Sequence, residues 1–350
     1  MTGTAPTHGQ ILPASAALLA SRGHEGARLT AFVADASPRR YFRLEGQGLI
    51  LMEDPTDPVG FDAYLRLSAH LADLGLSAPR VVAATKPAGV ALIEDLGDTT
   101  YSRCLSAGED EGALYRLAVD VLLHLHHDPR GVQVDQPRYD LRKMLDELEV
   151  FAEWFAPAVA PDLDRTAFAQ EWRALWEAAL APVDGHYDTL IMRDFHVDNL
   201  MLLDGREGVA RCGLLDFQDG VLGPCEYDLM SLLQDARRDL SPGLEASLLA
   251  RYLENAPAHL GGAQAIRRRY HLLAAQRHAR ILGVFVRLCL RDGKPGYLDW
   301  LPRVLRQFQT ALVDAALTDI SALLDTRMPG WQATAATLDT RLKPLKGVSA

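Results

Sequence analysis

The N-terminal part of the chain alternates short apolar runs with turn-forming residues. Three β-type runs, Leu29–Val33, Tyr41–Leu44 and Leu49–Glu53, are separated by segments that contain Pro, Gly, Asp and Glu. Runs of this length between turn formers are typical of strands, so we expect a three-stranded antiparallel meander. A segment with helical periodicity and two further β-type runs follow: Phe61–Leu74, Val81–Ala84 and Val90–Glu94.

Beyond Gly97 the pattern changes to long segments in which apolar residues recur with a helical period. Short strand-like runs interrupt this pattern only between residues 188 and 216, and helical periodicity returns from Tyr227 to about residue 325. The segments that predict the first helices are 111–127, 138–155 and 164–181.

These two patterns predict an α+β fold with two lobes. We expect a small β-rich N-lobe with an antiparallel sheet and one helix over residues 1–97, and a larger, mainly helical C-lobe over residues 98–350. A chain of 350 residues is long enough to need more than one core.

Composition and charge exclude several functional classes. The 36 Lys and Arg residues against 46 Asp and Glu give a net charge of −10, which repels a phosphate backbone, so we expect no nucleic-acid partner. The most apolar run, 281–290, contains Arg287 and is too short to span a bilayer, so we expect no membrane partner. Four cysteines without a C-x-x-C pair predict neither a disulfide framework nor a zinc site, and a reducing cytoplasm is the expected compartment.

The segment from Met192 to Asn199 carries the most informative polar residues. Phosphoryl transfer needs a carboxylate that accepts a proton, together with an Asn and an Asp that hold Mg²⁺ against the ATP phosphates. Asp194 and Asn199 have the D-x-x-x-x-N spacing of a kinase catalytic loop, and Asp216 precedes Phe217 where the metal-binding Asp of a kinase would stand. The alternative is that these residues are only structural. Asp194 would then cap a turn, Asn199 would adopt a left-handed backbone conformation, and Asp216 would end a strand.

This motif resembles the loop H-G-D-x-H-x-x-N of the aminoglycoside phosphotransferase superfamily. The resemblance implies the protein-kinase-like fold of that superfamily. Asp194, His196 and Asn199 match it, whereas Met192 and Arg193 replace the first His and the Gly. A closer similarity, over most of the chain, is to the anomeric cell-wall sugar kinases that phosphorylate N-acetylmuramate and N-acetylglucosamine at the 1-hydroxyl. The segments that carry it are Ser37–Arg43, Asp95–Gly97, Leu215–Asp219, Gly223-Pro224, Tyr227-Asp228, Gln276–His278 and Arg291–Pro295.

The resemblance implies an ATP- and Mg²⁺-dependent bacterial enzyme that returns recycled peptidoglycan sugars to synthesis. It implies that Asp194 is the catalytic base and that Asn199 and Asp216 are the Mg²⁺ ligands. His196 either shapes the catalytic loop through a hydrogen bond, which we favour, or touches the substrate. The N-lobe would cover the nucleotide, and the C-lobe would carry the catalytic loop, the metal site and the acceptor pocket.

One feature departs from the kinase pattern, because the run Leu49–Glu53 has no Lys to hold the α- and β-phosphates. A guanidinium can hold phosphate oxygens with two hydrogen bonds, so arginines in and after the preceding turn are candidate substitutes. Each of them is also interpretable as a solvated turn residue. The predicted nucleotide-binding set is Ser37, Arg39, Arg40 and Arg43, with backbone groups near Glu94 and Leu96 for the adenine.

A second cluster lies on the helix predicted from about Tyr270 to Arg291, where Arg277 and Arg280 belong to an arginine stripe. Buried guanidinium groups need anions. Their partners are either internal carboxylates, such as Asp219 or Asp228, or the lactyl carboxylate of N-acetylmuramate. The predicted substrate-binding set is Asp219, Asp228, Arg277, His278 and Arg280.

Two rival functions are open at this point. The first is the same chemistry on another small hydroxyl acceptor, namely an aminoglycoside, choline or homoserine. Cationic acceptors call for a carboxylate-rich pocket, so the arginine stripe counts against aminoglycosides and choline. The second is a nucleotide-binding pseudokinase scaffold, which the missing lysine supports and the presence of Asp194, Asn199 and Asp216 together opposes.

Overall fold

The structure is a computed structural model, and it describes residues 11–32 and 39–342. Contacts within it group into two compact units. Unit 1 comprises residues 1–136 and 192–220, and unit 2 comprises residues 137–191 and 221–350. The lobe boundary predicted at residue 97 stays a prediction, because these units group the chain by contacts and not by lobe.

The described residues form one five-stranded sheet and two two-stranded sheets, all built from short strands. Unit 1 contains a five-stranded antiparallel sheet in the order β1-β2-β3-β5-β4 and the hairpin β7-β8, and unit 2 contains the pair β6-β9. The strands are β1 (Leu29–Ala31), β2 (Arg40–Leu44), β3 (Leu49–Glu53), β4 (Val81–Thr85), β5 (Val90–Glu94), β6 (Thr189–Ile191), β7 (Leu200–Leu202), β8 (Cys212–Leu214) and β9 (Val221–Gly223).

Helices make up most of the remaining described chain. A π-helical segment, Phe151–Phe155, joins α5 to α6. The helices are α1 (Pro13–Ser21), α2 (Pro58–Asp73), α3 (Tyr101–Ser106), α4 (Glu111–His127), α5 (Leu141–Val150), α6 (Ala156–Val159), α7 (Arg165–Leu180), α8 (Glu226–Leu233), α9 (Leu244–Asn255), α10 (Ala263–Leu290), α11 (Leu301–Asp314), α12 (Thr318–Arg327), α13 (Trp331–Ala335) and α14 (Leu338–Leu342).

The sheet of unit 1 forms where the sequence pattern predicts it. Its inward-facing apolar residues, among them Phe42, Leu51 and Leu92, pack with Leu18 and Leu19 of α1 into one buried cluster. Helix α2 starts at Pro58 because the Asp57 carboxylate accepts a hydrogen bond from the Gly60 backbone nitrogen at 2.9 Å and thereby caps the first turn.

Three sequence predictions need correction. The helix predicted to begin near Tyr270 begins at Ala263, seven residues earlier, and ends at Leu290. The helix predicted over 138–155 begins at Leu141 and changes to a π-helical segment at Phe151. Strand β9 was not predicted, because three residues next to a Gly-Pro pair give too short a pattern.

All four cysteines are buried free thiols. In the described ranges, no helix is both long enough and apolar enough to cross a membrane.

Candidate active site

The loop between β6 and β7 is folded by its own backbone hydrogen bonds. The Asp194 nitrogen donates to the Met192 carbonyl at 2.9 Å, and the His196 nitrogen donates to the Asp194 carbonyl at 3.1 Å. Arg193 has a φ of 69°, a left-handed conformation that favours glycine. The Gly of the related H-G-D motif therefore occupies a position whose backbone geometry suits it, and this chain holds an arginine there.

Asn199 joins the predicted base to the predicted metal ligand. Its side-chain Nδ2 donates to the Asp194 carbonyl at 3.0 Å and lies 3.4 Å from Asp216 Oδ2. The Leu215 nitrogen donates to the Asn199 carbonyl at 2.9 Å, which ties the two segments together one residue before Asp216. Asp194, Asn199 and Asp216 are therefore brought to one place within unit 1.

Acidic side chains concentrate at this place. Asp216 has a φ of 59°, and its exposed carboxylate accepts a hydrogen bond from Gln218 Nε2 at 2.7 Å. Partial loss of solvent around the Asp219 carboxylate, and then the negative charge of Asp216, raise the pKa of Asp219. Asp194 adds to this effect, whereas the charges of Arg193 and Arg39 oppose it. Asp219, predicted as a substrate contact, is thus electrostatically part of the cluster around Asp216.

His196 is buried, with an exposed fraction of 5%, and its Nε2 lies 3.4 Å from Asn199 Nδ2. This burial favours the loop-shaping role over direct contact with a substrate. The Asn199 backbone nitrogen also donates to the His196 carbonyl at 2.9 Å and adds to the hydrogen bonds that fold the loop.

A cavity of about 370 Å³ in unit 1 connects the predicted adenine segment to the predicted metal ligands. Its wall is largely apolar, as expected for a site that holds an aromatic base. The lining residues are Phe32, Tyr41, Ile50, Tyr64, Pro79, Ile93, Glu94, Asp95, Leu96, Gly97, Asn199, Met201, Leu215, Asp216 and Phe217.

The segment Glu94–Gly97 is held by local bonds. The Glu94 carboxylate pairs with Arg206 at 2.6 Å and with Arg80 at 3.2 Å, so this side chain is already occupied. The Asp95 nitrogen donates to the Gly48 carbonyl at 3.0 Å. Glu94 and Leu96 can therefore contact an adenine ring mainly through their backbone groups and through the apolar side chain of Leu96.

The structure separates the predicted phosphate-binding residues. Arg43 pairs with Asp95 at 2.6 Å and with Asp98 at 2.8 Å. Arg40 pairs with the fully buried Glu53, and Arg39 pairs with Asp54 at 2.8 Å. Ser37 and the rest of its turn lie outside the described residues.

The predicted substrate residues on α10 differ in their surroundings within unit 2. Arg280 lies 3.5 Å from Glu147, an internal carboxylate that was not considered from the sequence. Arg277 is 8% exposed, and its Nε donates to the Ser231 hydroxyl at 2.9 Å. Its guanidinium lies 6.0 Å from the ring centroid of Tyr227, and no carboxylate of the described part of unit 2 is within 4.0 Å of it.

Two other predicted substrate residues are buried in unit 2. His278 is fully buried, and its Nε2 is hydrogen-bonded to Gln234 Oε1 at 2.7 Å. Burial, and then the charge of Arg277, lower the pKa of His278 to about 3. His278 is thus a neutral, enclosed imidazole, and its contact with a substrate stays a prediction. Asp228 is also buried, in the first turn of α8.

Sequence reasoning missed several residues of the cavity wall. Tyr64 stacks on Phe217 with ring centroids 5.0 Å apart, and Tyr41 lines the same cavity. Both tyrosines look like ordinary core residues in the apolar pattern, so no signal marked them. Asp54, which pairs with Arg39 at 2.8 Å and does not line the cavity, was missed too, because that pairing depends on strand register.

The family comparison agrees with this geometry. The profile of the phosphotransferase enzyme family matches residues 28–266, which include the cavity and the loop. An N-acetylmuramate/N-acetylglucosamine kinase of Caulobacter vibrioides is 37% identical over 90% of this chain and 96% of its own length. The protein of the same name from Neisseria meningitidis is 36% identical over 85% of this chain and 89% of its own length.

Solved structures show a similar fold. A choline/ethanolamine kinase family protein from Mesorhizobium loti matches 93% of this chain and 98% of its own, with a TM-score of 0.56 and 15% identity. The ADP-bound aminoglycoside phosphotransferase APH(2'')-Ib matches 87% of this chain and 99% of its own, with a TM-score of 0.58 and 16% identity. These similarities confirm the α+β, two-lobed, protein-kinase-like fold class.

Proposed function

Because the chain belongs to the phosphotransferase enzyme family, we propose that it is a kinase that transfers the γ-phosphoryl group of ATP to the 1-hydroxyl of N-acetylmuramate and N-acetylglucosamine. Relatives named as kinases of these two sugars are 32% to 37% identical to it. They favour a sugar acceptor over an aminoglycoside, choline or homoserine, and a kinase over a scaffold.

One observation carries the proposal. The Asn199 side chain donates to the Asp194 carbonyl and lies 3.4 Å from Asp216 Oδ2, while Asn199 and Asp216 both line the cavity that extends to Leu96. A base, an amide and a carboxylate at the end of a nucleotide-sized, largely apolar cavity are the groups that phosphoryl transfer requires.

In the proposed reaction the anomeric hydroxyl attacks the γ-phosphorus, and the bond from that phosphorus to the oxygen shared with the β-phosphate breaks. The hydroxyl proton passes to the Asp194 carboxylate, and the products are a sugar 1-phosphate and ADP. An anomeric hydroxyl is more acidic than an ordinary alcohol, so Asp194 needs to orient it and accept its proton only late in the transfer. No covalent intermediate on the protein is required.

Mg²⁺ fits the donor groups of this site. The carboxylate of Asp216 and the amide oxygen of Asn199 are hard oxygen ligands of the kind that Mg²⁺ prefers. Loss of solvent, and then the negative charges of Asp216 and Asp194, raise the pKa of Asp219, and a bound cation would relieve the repulsion among these carboxylates. When bound, Mg²⁺ would neutralise charge that develops on the phosphate oxygens.

Arg277 supports an acidic acceptor. It is almost fully buried, and its neighbours within unit 2 are the neutral Ser231 and Tyr227. A buried guanidinium is costly unless an anion compensates its charge. We assign that anion as the lactyl carboxylate of N-acetylmuramate, a group that N-acetylglucosamine lacks.

An acceptor screen tests the proposal. Purified protein is incubated with Mg²⁺, radiolabelled ATP and one of four acceptors: N-acetylmuramate, N-acetylglucosamine, kanamycin or choline. We expect transfer of label to the two amino sugars only. Transfer to kanamycin or choline with none to either sugar would contradict the assigned acceptor, and ATP binding without transfer to any acceptor would favour the scaffold.

A further inference from the structure

Strand β3 has no cation with which to hold the α- and β-phosphates of a nucleotide. Its sequence, Leu49–Glu53, is four apolar residues and one glutamate, and that glutamate is fully buried. A diphosphate group needs compensating positive charge near the cavity, so another element has to supply it.

The strand register places one ion pair at the end of this strand. Arg40 of β2 is paired with Glu53 of β3 in the ladder, so the preceding residue, Arg39, stands opposite the following residue, Asp54. Arg39 Nε donates to Asp54 Oδ2 at 2.8 Å. Arg39 is 7% exposed and Asp54 is 2% exposed, so both charges are enclosed and the carboxylate fixes the direction of the guanidinium.

This ion pair lies at the metal end of the cavity. The Arg39 guanidinium is 5.7 Å from the ring centroid of Tyr64 and is hydrogen-bonded to the Tyr41 hydroxyl, and both tyrosines line the cavity. Tyr64 in turn stacks on Phe217, the residue after Asp216. The positive charge of Arg39 also acts on Asp219, where it lowers the pKa against the other influences.

The other two arginines serve different purposes. Arg40 pairs with Glu53, whose Oε1 accepts hydrogen bonds from the Leu12 nitrogen at 2.7 Å and from the Ser15 hydroxyl, so this pair joins the sheet to α1. Arg43 pairs with Asp95 and Asp98 beside the predicted adenine segment.

We propose that Arg39 binds the α- and β-phosphates in place of a strand lysine, and that Asp54 is the positioning residue that holds its guanidinium toward them. The inference rests on the proposed function, because it assumes that the cavity takes a nucleotide. A guanidinium can bond to the Asp54 carboxylate and to phosphate oxygens at the same time, which is what this role requires.

Binding of ADP and of adenosine, measured by calorimetry with excess Mg²⁺ and without any sugar, tests the inference. Arg39→Met should weaken ADP binding by about ten- to a hundredfold, the size of a charge-assisted hydrogen bond, and should leave adenosine binding within about twofold. Arg39→Lys should recover part of the loss. Arg28→Met removes an exposed arginine that lies 3.8 Å from Glu45 and is the matched control, with both ligands bound as in the wild type.

Asp54→Asn tests the positioning role. It should lower the ratio of ADP to adenosine affinity several-fold, whereas a merely structural residue would change both affinities alike. An unchanged ratio in both Arg39→Met and Asp54→Asn, or a loss of ADP binding in Arg40→Met but not in Arg39→Met, would overturn the inference. If the wild type does not prefer ADP to adenosine, the proposed function fails instead.

Discussion

Asp194 is the side chain that we propose accepts the proton of the acceptor hydroxyl. Asp194→Asn should lower turnover by about 10²–10⁴-fold, because the amide cannot accept the proton of the acceptor hydroxyl. Affinity for Mg·ATP should stay close to that of the wild type, since Asn199 and Asp216 are intact. Steady-state rates at saturating sugar, together with calorimetric ATP binding, check both parts. A variant that keeps more than a third of the wild-type rate would remove Asp194 from the mechanism.

Arg277 is the residue that we propose distinguishes the two sugars. Arg277→Ala should raise KM for N-acetylmuramate by about ten- to a hundredfold more than KM for N-acetylglucosamine, because only the former carries a carboxylate. Arg280→Ala is the comparison, since Arg280 lies 3.5 Å from the internal carboxylate of Glu147 and should affect both sugars alike. Equal shifts in both KM values for Arg277→Ala would assign this arginine to folding alone.

His278 gives a pH dependence of stability. Burial lowers its pKa in the folded protein to about 3, whereas the unfolded value is 6.5, so between these values the unfolded chain binds the extra proton. Stability from this group is therefore complete above about pH 6.5 and is lost as the pH falls, by up to about 1.4 kcal/mol per pH unit. His278→Gln, which can still bond to Gln234, should flatten the decline of Tm from pH 7 to pH 5. An unchanged slope would show that other groups govern it.

At the level of whole elements, the contact of α10 with the π-helical segment is the most sensitive. A Cβ on Gly283 would lie 2.5 Å from the carbonyl carbon and oxygen of Val150, both backbone atoms that cannot move aside cheaply. Gly283→Ala should therefore lower Tm, although alanine in a helix interior ordinarily stabilises by about 1 kcal/mol. Gly112→Ala in α4 is the matched control, because its nearest neighbour is the flexible Arg116 side chain. A Gly283→Ala variant as stable as the wild type would contradict this packing.

The bounds of the helices and strands show which parts of the fold the apolar pattern could predict. Strand β5 and helix α4 have the predicted bounds because each is an uninterrupted apolar pattern between clear turn or cap residues; Asp110, for example, caps α4. Helix α10 was predicted too short, since Arg269 is buried against Glu226 and therefore breaks the apolar period of its first turns. The pairing of Arg39 with Asp54 depends on strand register, which the pattern of apolar residues does not specify.

Across the whole molecule, the candidate residues differ in how far their surroundings could be predicted from the sequence. The proposed base and the proposed metal ligands could be predicted from spacing along the chain, because they lie within one short loop and one strand end. Residues whose neighbours come from distant parts of the sequence were harder to assign, as Arg280 with Glu147 and His278 with Gln234 show. The same kinds of side chain form substrate contacts and internal ion pairs. Only the neighbours of a residue in the folded structure distinguish one role from the other.

The hydroxyl that receives the phosphate can be identified on the product. Phosphorus NMR of the product made from N-acetylmuramate, ATP and Mg²⁺ distinguishes an anomeric phosphate from one on any other hydroxyl, with the Asp194→Asn protein as the blank. We predict a single sugar 1-phosphate signal and one equivalent of ADP from the wild type, and neither from the variant. A phosphate on another hydroxyl, or ADP formed without any sugar phosphate, would contradict the account.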